Sequence, residues 1–173
     1  MSDVSRTVAE TERPDEENTV ARHNVFVSHR HEDDSLIADL KTMLAADGCD
    51  VRDSSINASN PNNAKDPDYI KSKLAERIQW AGKIIVIVSP QTKDHEWVDW
   101  EIEYANKHPG KAIIGVWAPG ADGCDLPEAL EQHADALVSW DATAIAAALE
   151  GAGPWLLPDG TVAGPRRIKK VAC

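Results

Sequence analysis

The sequence predicts an α/β fold in which five parallel strands form one sheet with helices on its faces. Strand-like and helix-like patterns alternate from about residue 23 to residue 150. The central strand candidates, Ile84-Ile85-Val86-Ile87-Val88 and Ala112-Ile113-Ile114-Gly115-Val116-Trp117, are unbroken aliphatic runs rather than in–out alternations. Runs of this kind suit strands buried on both faces, as parallel sheets bury them. Size agrees: 173 residues, 42% of them hydrophobic, suffice for one domain with a real core and are too few for two.

Each element follows from local signals. Residues 1–22 are polar, acidic and poor in aromatics, and read as a mobile arm. The domain proper is expected over 23–150, opening with the strand Asn24-Val25-Phe26-Val27-Ser28. Asp33, Asp34 and Ser35 offer N-cap chemistry to a helix whose Leu36, Ile37, Leu40, Met43 and Leu44 recur at helical spacing until Gly48 stops it. Residues 49–53 form a short second strand. Residues 54–67 are rich in Ser, Asn and Pro and lack periodicity, the mark of a functional or disordered loop. Ile70, Leu74 and Ile78 give the inner face of a helix over 68–80. The strand at 84–88 and a helix over 96–105 come next. Then follow the strand at 112–117, a loop at 118–123, a short helix at 127–133, a last strand at 135–140 and an alanine-rich helix at 142–150.

Five such strands suit the flavodoxin-like order 2-1-3-4-5, in which ligands bind outside the carboxyl ends of the strands. Those ends are Ser28-His29-Arg30, Asp53-Ser54, Ser89-Pro90-Gln91 and Trp117-Ala118-Pro119. Residues 151–173 change character. A hairpin over Pro158-Asp159-Gly160 is expected within 153–162, and Arg166, Arg167, Lys169 and Lys170 make a basic tail, folded on the acidic body or solvated.

Composition excludes several functions. The formal net charge of −11 repels phosphate backbones and argues against nucleic-acid binding. An anionic small molecule would need a local positive patch or helix N-terminal amides. No apolar run approaches the ~20 residues of a membrane span. The N-terminus has no apolar stretch of the secretory kind, and Cys49, Cys124 and Cys173 are an odd number without metal-like spacing, so reduced thiols in the cytoplasm are expected. His29 and His31 invite a metal, but no Cys or carboxylate set completes a site, and none is expected. A receiver-type phosphoacceptor, suggested by Glu32, Asp33 and Asp34, fails too: the third strand ends in Ser89-Pro90 where that site needs an aspartate, and no lysine ends the later strand.

One stretch carries chemistry. On a helical wheel at roughly 100° per residue, Trp100, Tyr104, Trp97, Glu101, Ala105, Val98 and Ile102 fall on one broad arc. Glu96, Asp99 and Glu103 fall on the opposite, solvated face. Glu101 alone among these acids sits inside the apolar arc. Burying a carboxylate costs several kcal/mol unless it is partnered or protonates. A structural ion pair with an arginine and a chemical role both meet that cost, and the spacing does not choose between them. Asp53 and Ser89 stand at the ends of the second and third strands, where capping or loop hydrogen bonding competes with ligand contact.

Together these residues resemble a known family. Asn24-Val25-Phe26-Val27-Ser28-His29 with Glu32-Asp33-Asp34 resembles the opening of a Toll/interleukin-1 receptor (TIR) domain. Trp97-x-x-x-Glu101, after a strand ending at Ser89, resembles the signature of the NAD-cleaving branch, and Lys111–Trp117 resembles the strand that follows. The nearest likeness is to bacterial TIR-like proteins of the Thoeris anti-phage system. It covers roughly residues 23–150 and is poor over 54–67. The resemblance implies a TIR fold and an enzyme that cleaves the nicotinamide–ribose bond of NAD+, as a glycohydrolase or an ADP-ribosyl cyclase-like producer of a cyclic or modified ADP-ribose messenger. It implies Glu101 as the catalytic residue, with Trp97, Trp100 and Tyr104 beside the substrate. It places the turn Ser28, His29, Arg30 and His31 along the nucleotide pocket, with Asp53 and Ser89 as outer contacts. NAD+ is then substrate, and no cofactor is expected. The implied partners are further copies of the chain, through TIR–TIR contacts, and a separate effector switched on by the product. A non-catalytic TIR module that only binds other TIR domains is the alternative.

Overall fold

A computed structural model describes residues 20–55, 65–121 and 124–163. Within them five strands, β1 (Ala21–Ser28), β2 (Cys49–Asp53), β3 (Lys83–Val88), β4 (Ala112–Trp117) and β5 (Ala136–Val138), form one sheet. All neighbours are parallel and the order is β2-β1-β3-β4-β5. The sequence-based expectation of an α/β sheet in the order 2-1-3-4-5 is met. The helices are α1 (Asp34–Ala46), α2 (Pro67–Trp80), α3 (Glu96–Asn106), α4 (Glu128–His133) and α5 (Ala142–Leu149). α1 packs with α5, while α2, α3 and α4 pack in succession, so the sheet is covered on both faces.

That double cover explains the aliphatic runs. Ile84, Ile85, Val86, Ile87 and Val88 are all fully buried, as are Val25, Val27, Ile114 and Val116. Each such side chain contributes roughly 1.5–3 kcal/mol over leaving it in water. Gly48 takes φ +77° just after α1, a left-handed turn that a side chain would strain.

Several boundaries differ from the sequence-based expectation. β1 starts at Ala21 rather than Asn24, because Ala21 to Val25 pair with Cys49 to Asp53. The polar Arg22 and Asn24 point out, and His23 between them is buried. The last strand spans only Ala136–Val138. Asp135 ahead of it is spent on the neighbouring strand instead, its N–H donating to Ile113 O at 2.7 Å and its carboxylate accepting from Ile113 N at 2.8 Å. Asp99, expected on the solvated face of α3, is partly buried where α4 packs, and its Oδ1 has no hydrogen-bond partner among the described residues.

Beyond α5 the chain returns to the sheet. Trp155 bridges Leu137 in parallel, and Leu156 bridges Val162 antiparallel across the Pro158-Asp159-Gly160 turn. The Trp117 indole donates to Leu156 O at 2.9 Å, fixing this segment beside β5. Gly153 makes the approach possible: a Cβ there would lie 2.2 Å from that of Ala136. Residues 1–19 of the expected arm, 56–64 of the long loop and the basic tail from Arg166 to Lys170 lie outside the described residues.

Candidate functional site

Glu101 lies in the second turn of α3, one helix after β3. Glu96 and Asp99 in the first turn favour the helix N-terminus electrostatically. Val98, Ile102 and Ala105 are fully buried, and the face they define carries Glu101 inward with them, 7% exposed. The carboxylate meets the last residue of β1: Ser28 Oγ, itself 1% exposed, donates to Glu101 Oε2 at 2.5 Å. No lysine, arginine or histidine among the described residues pairs with it. Burial pushes the Glu101 carboxyl up to about 8, against the smaller opposing pull of the Ser28 hydroxyl. An acid in that state is mostly protonated at neutral pH and takes up charge when a cation arrives beside it.

The turn after Ser28 is tied down at each residue. His29 places Nδ1 2.9 Å from Val27 O and Nε2 2.6 Å from Asp34 Oδ1. Arg30 pairs with Glu32 at 3.0 Å and donates to Gln91 Oε1 at 2.8 Å, leaving 14% of its side chain exposed. His31 approaches Asp34 Oδ2 at 3.2 Å but is 87% exposed. Ser89, at the end of β3, donates to Asp33 Oδ2 at 2.7 Å and lies 2.9 Å from the hydroxyl of the fully buried Thr92.

The remaining candidates are engaged elsewhere. Asp53 holds a tight turn, accepting from Ser55 N at 2.8 Å and Ser55 Oγ at 2.9 Å. Trp97, Trp100 and Tyr104 run as a row along α3, with ring centroids 6.4 Å and 5.2 Å apart. Gln79 of α2 donates to the Tyr104 hydroxyl at 2.6 Å, and Lys71 lies 5.9 Å from the Trp100 ring. Trp100 and Tyr104 therefore work at the α2–α3 interface, while Ser28 and Glu101 meet at the rim of the sheet. The sequence reading passed over Asp33 and Thr92 as rim residues. The available signal was a surplus: Asp33 and Asp34 stand together at the start of α1, where one cap suffices. A separate cleft of about 590 Å³ is lined by Lys93, Asp94, Asp99, Asp125, Leu126, Glu128, Glu131 and Gln132, none of them a candidate above. Among the described residues no set of three or more His, Cys, Asp or Glu is placed to hold a metal, and no helix is long and apolar enough to cross a membrane.

The family model described as Thoeris protein ThsB, TIR-like domain, matches residues 26–122, more than half of the chain. The chain belongs to the Thoeris TIR-like family. No curated protein matches it. In this Thoeris TIR-like protein the matched span holds Ser28, the tethered turn and Glu101, and it ends before α4. Membership places the chain among defence-related TIR proteins.

Proposed function

We propose that this Thoeris TIR-like protein cleaves the nicotinamide–ribose bond of NAD+ and makes a cyclic or modified ADP-ribose signal for a separate effector. One observation carries the reading: Glu101 is buried at the carboxyl-end rim against the Ser28 hydroxyl, with no counter-charge among the described residues. Ordinary glycosidases need two carboxylates because their leaving group must be protonated. Nicotinamide in NAD+ is already cationic. When the C1′–N bond breaks, the electron pair goes to the ring nitrogen and neutral nicotinamide departs. The positive charge passes to the ribosyl carbon, so one carboxylate answers the demand.

Entry of the cationic substrate favours the charged form of Glu101, whose proton leaves to solvent. In a dry site that carboxylate stabilises the ribosyl cation far more than it would in water. Capture of C1′ by water gives ADP-ribose, and capture by an atom of the same molecule gives a cyclic product. In this reading Arg30 meets a phosphate, His29 and His31 face the base, and Trp97 stacks near the nicotinamide end. Trp100, Tyr104, Asp53 and Ser89 support the walls rather than the reacting atoms. Further copies of the chain complete the site.

The test is nicotinamide release, followed by mass spectrometry with purified protein and NAD+, with and without extract of phage-infected cells. Glu101→Gln should keep the fold and lose at least about 100-fold in rate. Equal turnover in the variant would move the chemistry elsewhere. No turnover under any trigger would favour a TIR module that acts by binding alone.

A further inference from the structure

Asp33 occupies the N-cap position of α1 and makes no side-chain bond to that helix. An aspartate at an N-cap ordinarily accepts from the helix's own first N–H groups, the arrangement seen where Asp141 accepts from Ala144 N at the start of α5. Asp33 instead reaches across the sheet rim to Ser89 Oγ, 2.7 Å away. A side chain that forgoes the local bond for a distant one is held there by something other than helix formation.

What it reaches is well anchored. Thr92 is fully buried; its hydroxyl accepts from Ser89 N at 2.8 Å and shares its proton between Ser89 Oγ at 2.9 Å and the more distant Ile87 O at 3.3 Å. The Ser89 hydroxyl bridges this post to Asp33. Asp33 N also donates to Arg30 O at 2.9 Å, closing the turn on itself, and Arg30 donates to Gln91 as a second strut. Ser28 pairs in register with Val86, so β3 runs on past the end of β1 and the turn after Ser28 lies across that overhang. Ser28 is thus fixed on one side by the sheet and on the other by a turn anchored to β3.

We propose that Asp33 is a positioning residue: by tying the β1–α1 turn to Ser89, it keeps the Ser28 hydroxyl on the Glu101 carboxyl. The kinetic part rests on the NAD+ reading above; the structural part does not. Hydrogen bonding is directional, and a shift of about 1 Å at such a contact is felt in rate.

Two measurements decide it. The first follows the Glu101 side-chain carboxyl by carbon NMR across pH, assigned by its absence in Glu101→Gln. Ser28→Ala should move that titration upward, because the hydroxyl is the group that favours the charged form. Asp33→Ala should move it the same way by at least half as much, and Asp33→Asn, which keeps an acceptor for Ser89, should stay near wild type. The second measures nicotinamide release. Asp33→Ala should lose about tenfold in kcat with KM changed less than about twofold. The double variant Ser28→Ala/Asp33→Ala should be no slower than Ser28→Ala alone. A Glu101 titration unmoved in Asp33→Ala, or multiplicative losses in the double variant, would overturn the proposal. If no variant releases nicotinamide, the NAD+ reading fails while the titration still decides the role of Asp33.

Discussion

His23 and Glu101 lie against opposite ends of β1, and both are buried titratable groups. His23, 8% exposed, has a partner on each ring nitrogen: Lys83 Nζ lies 2.7 Å from Nδ1 and Glu150 Oε1 lies 2.9 Å from Nε2. Glu101, 7% exposed, has the Ser28 hydroxyl and no opposite charge among the described residues. Burial favours the neutral form of both. Desolvation first and Lys83 second lower the His23 imidazole, and desolvation raises the Glu101 carboxyl to about 8. The partners make the difference. A lysine donating to Nδ1 and a carboxylate accepting from Nε2 select one neutral tautomer and lock it into the scaffold. A lone hydroxyl favours the charged form only weakly, too little to offset burial. Charge at Glu101 is therefore left for a ligand to set, and charge at His23 is not.

The comparison predicts opposite pH slopes for the two ends. For Glu101 the folded state keeps a proton that the unfolded chain releases near 4.5, until about pH 8. Stability from this group therefore falls as pH rises through that window. Glu101→Gln removes the slope. At pH 8 it should be more stable than wild type by roughly 3–5 kcal/mol, with the gap closing toward pH 4.5. Denaturant unfolding at several pH values measures this, and parallel curves for the two proteins would mean that the carboxyl finds a counter-charge.

For His23 the sign reverses. The unfolded imidazole takes up a proton below about pH 6.5 while the folded one resists. Stability is lost as pH falls below that value. His23→Leu should abolish this acid-side loss. It should also cost about 1–3 kcal/mol at pH 7, because Lys83 and Glu150 lose the ring between them. Nicotinamide release should stay within about twofold of wild type, since this end of the strand is remote from Ser28. A large loss of turnover in a folded His23→Leu protein would break the division of labour between the two ends.

The same contrast explains what the sequence could and could not show. The sheet was legible because β3 and β4 are buried at every residue after the first, a pattern with few alternatives. The inward turn of Glu101 was legible because helical periodicity fixes direction. Its partner was not: Ser28 lies 73 positions away, and no local rule links a strand-ending serine to one helical carboxylate. His23 was hidden for a related reason. It sits between the polar Arg22 and Asn24, at the edge expected between arm and domain, and nothing marks it as buried until β2 is laid beside it. Asp33 takes the N-cap position that capping rules allow it, but its side chain goes to Ser89, a tertiary bond that no local rule shows. Asp99 was assigned to solvent because the wheel knows nothing of α4.

Asp99 offers the smallest and sharpest test of these assignments. Burial raises its carboxyl first, the Ala129 backbone opposes that, and Glu103, Glu128 and Asp94 raise it further. It is Glu101's counterpart on the other side of α3, a partly buried acid without an opposing charge among the described residues, but here its neighbours are also acids. Asn at this position keeps the shape and drops the repulsion. Asp99→Asn should therefore stabilise the fold by about 0.5–1 kcal/mol at pH 7. The gain should shrink with added salt and vanish as pH falls and Asp99 protonates. A loss of stability at pH 7 instead would mean that the backbone bond from Ala129 to the charged carboxylate outweighs the burial and the acidic neighbours.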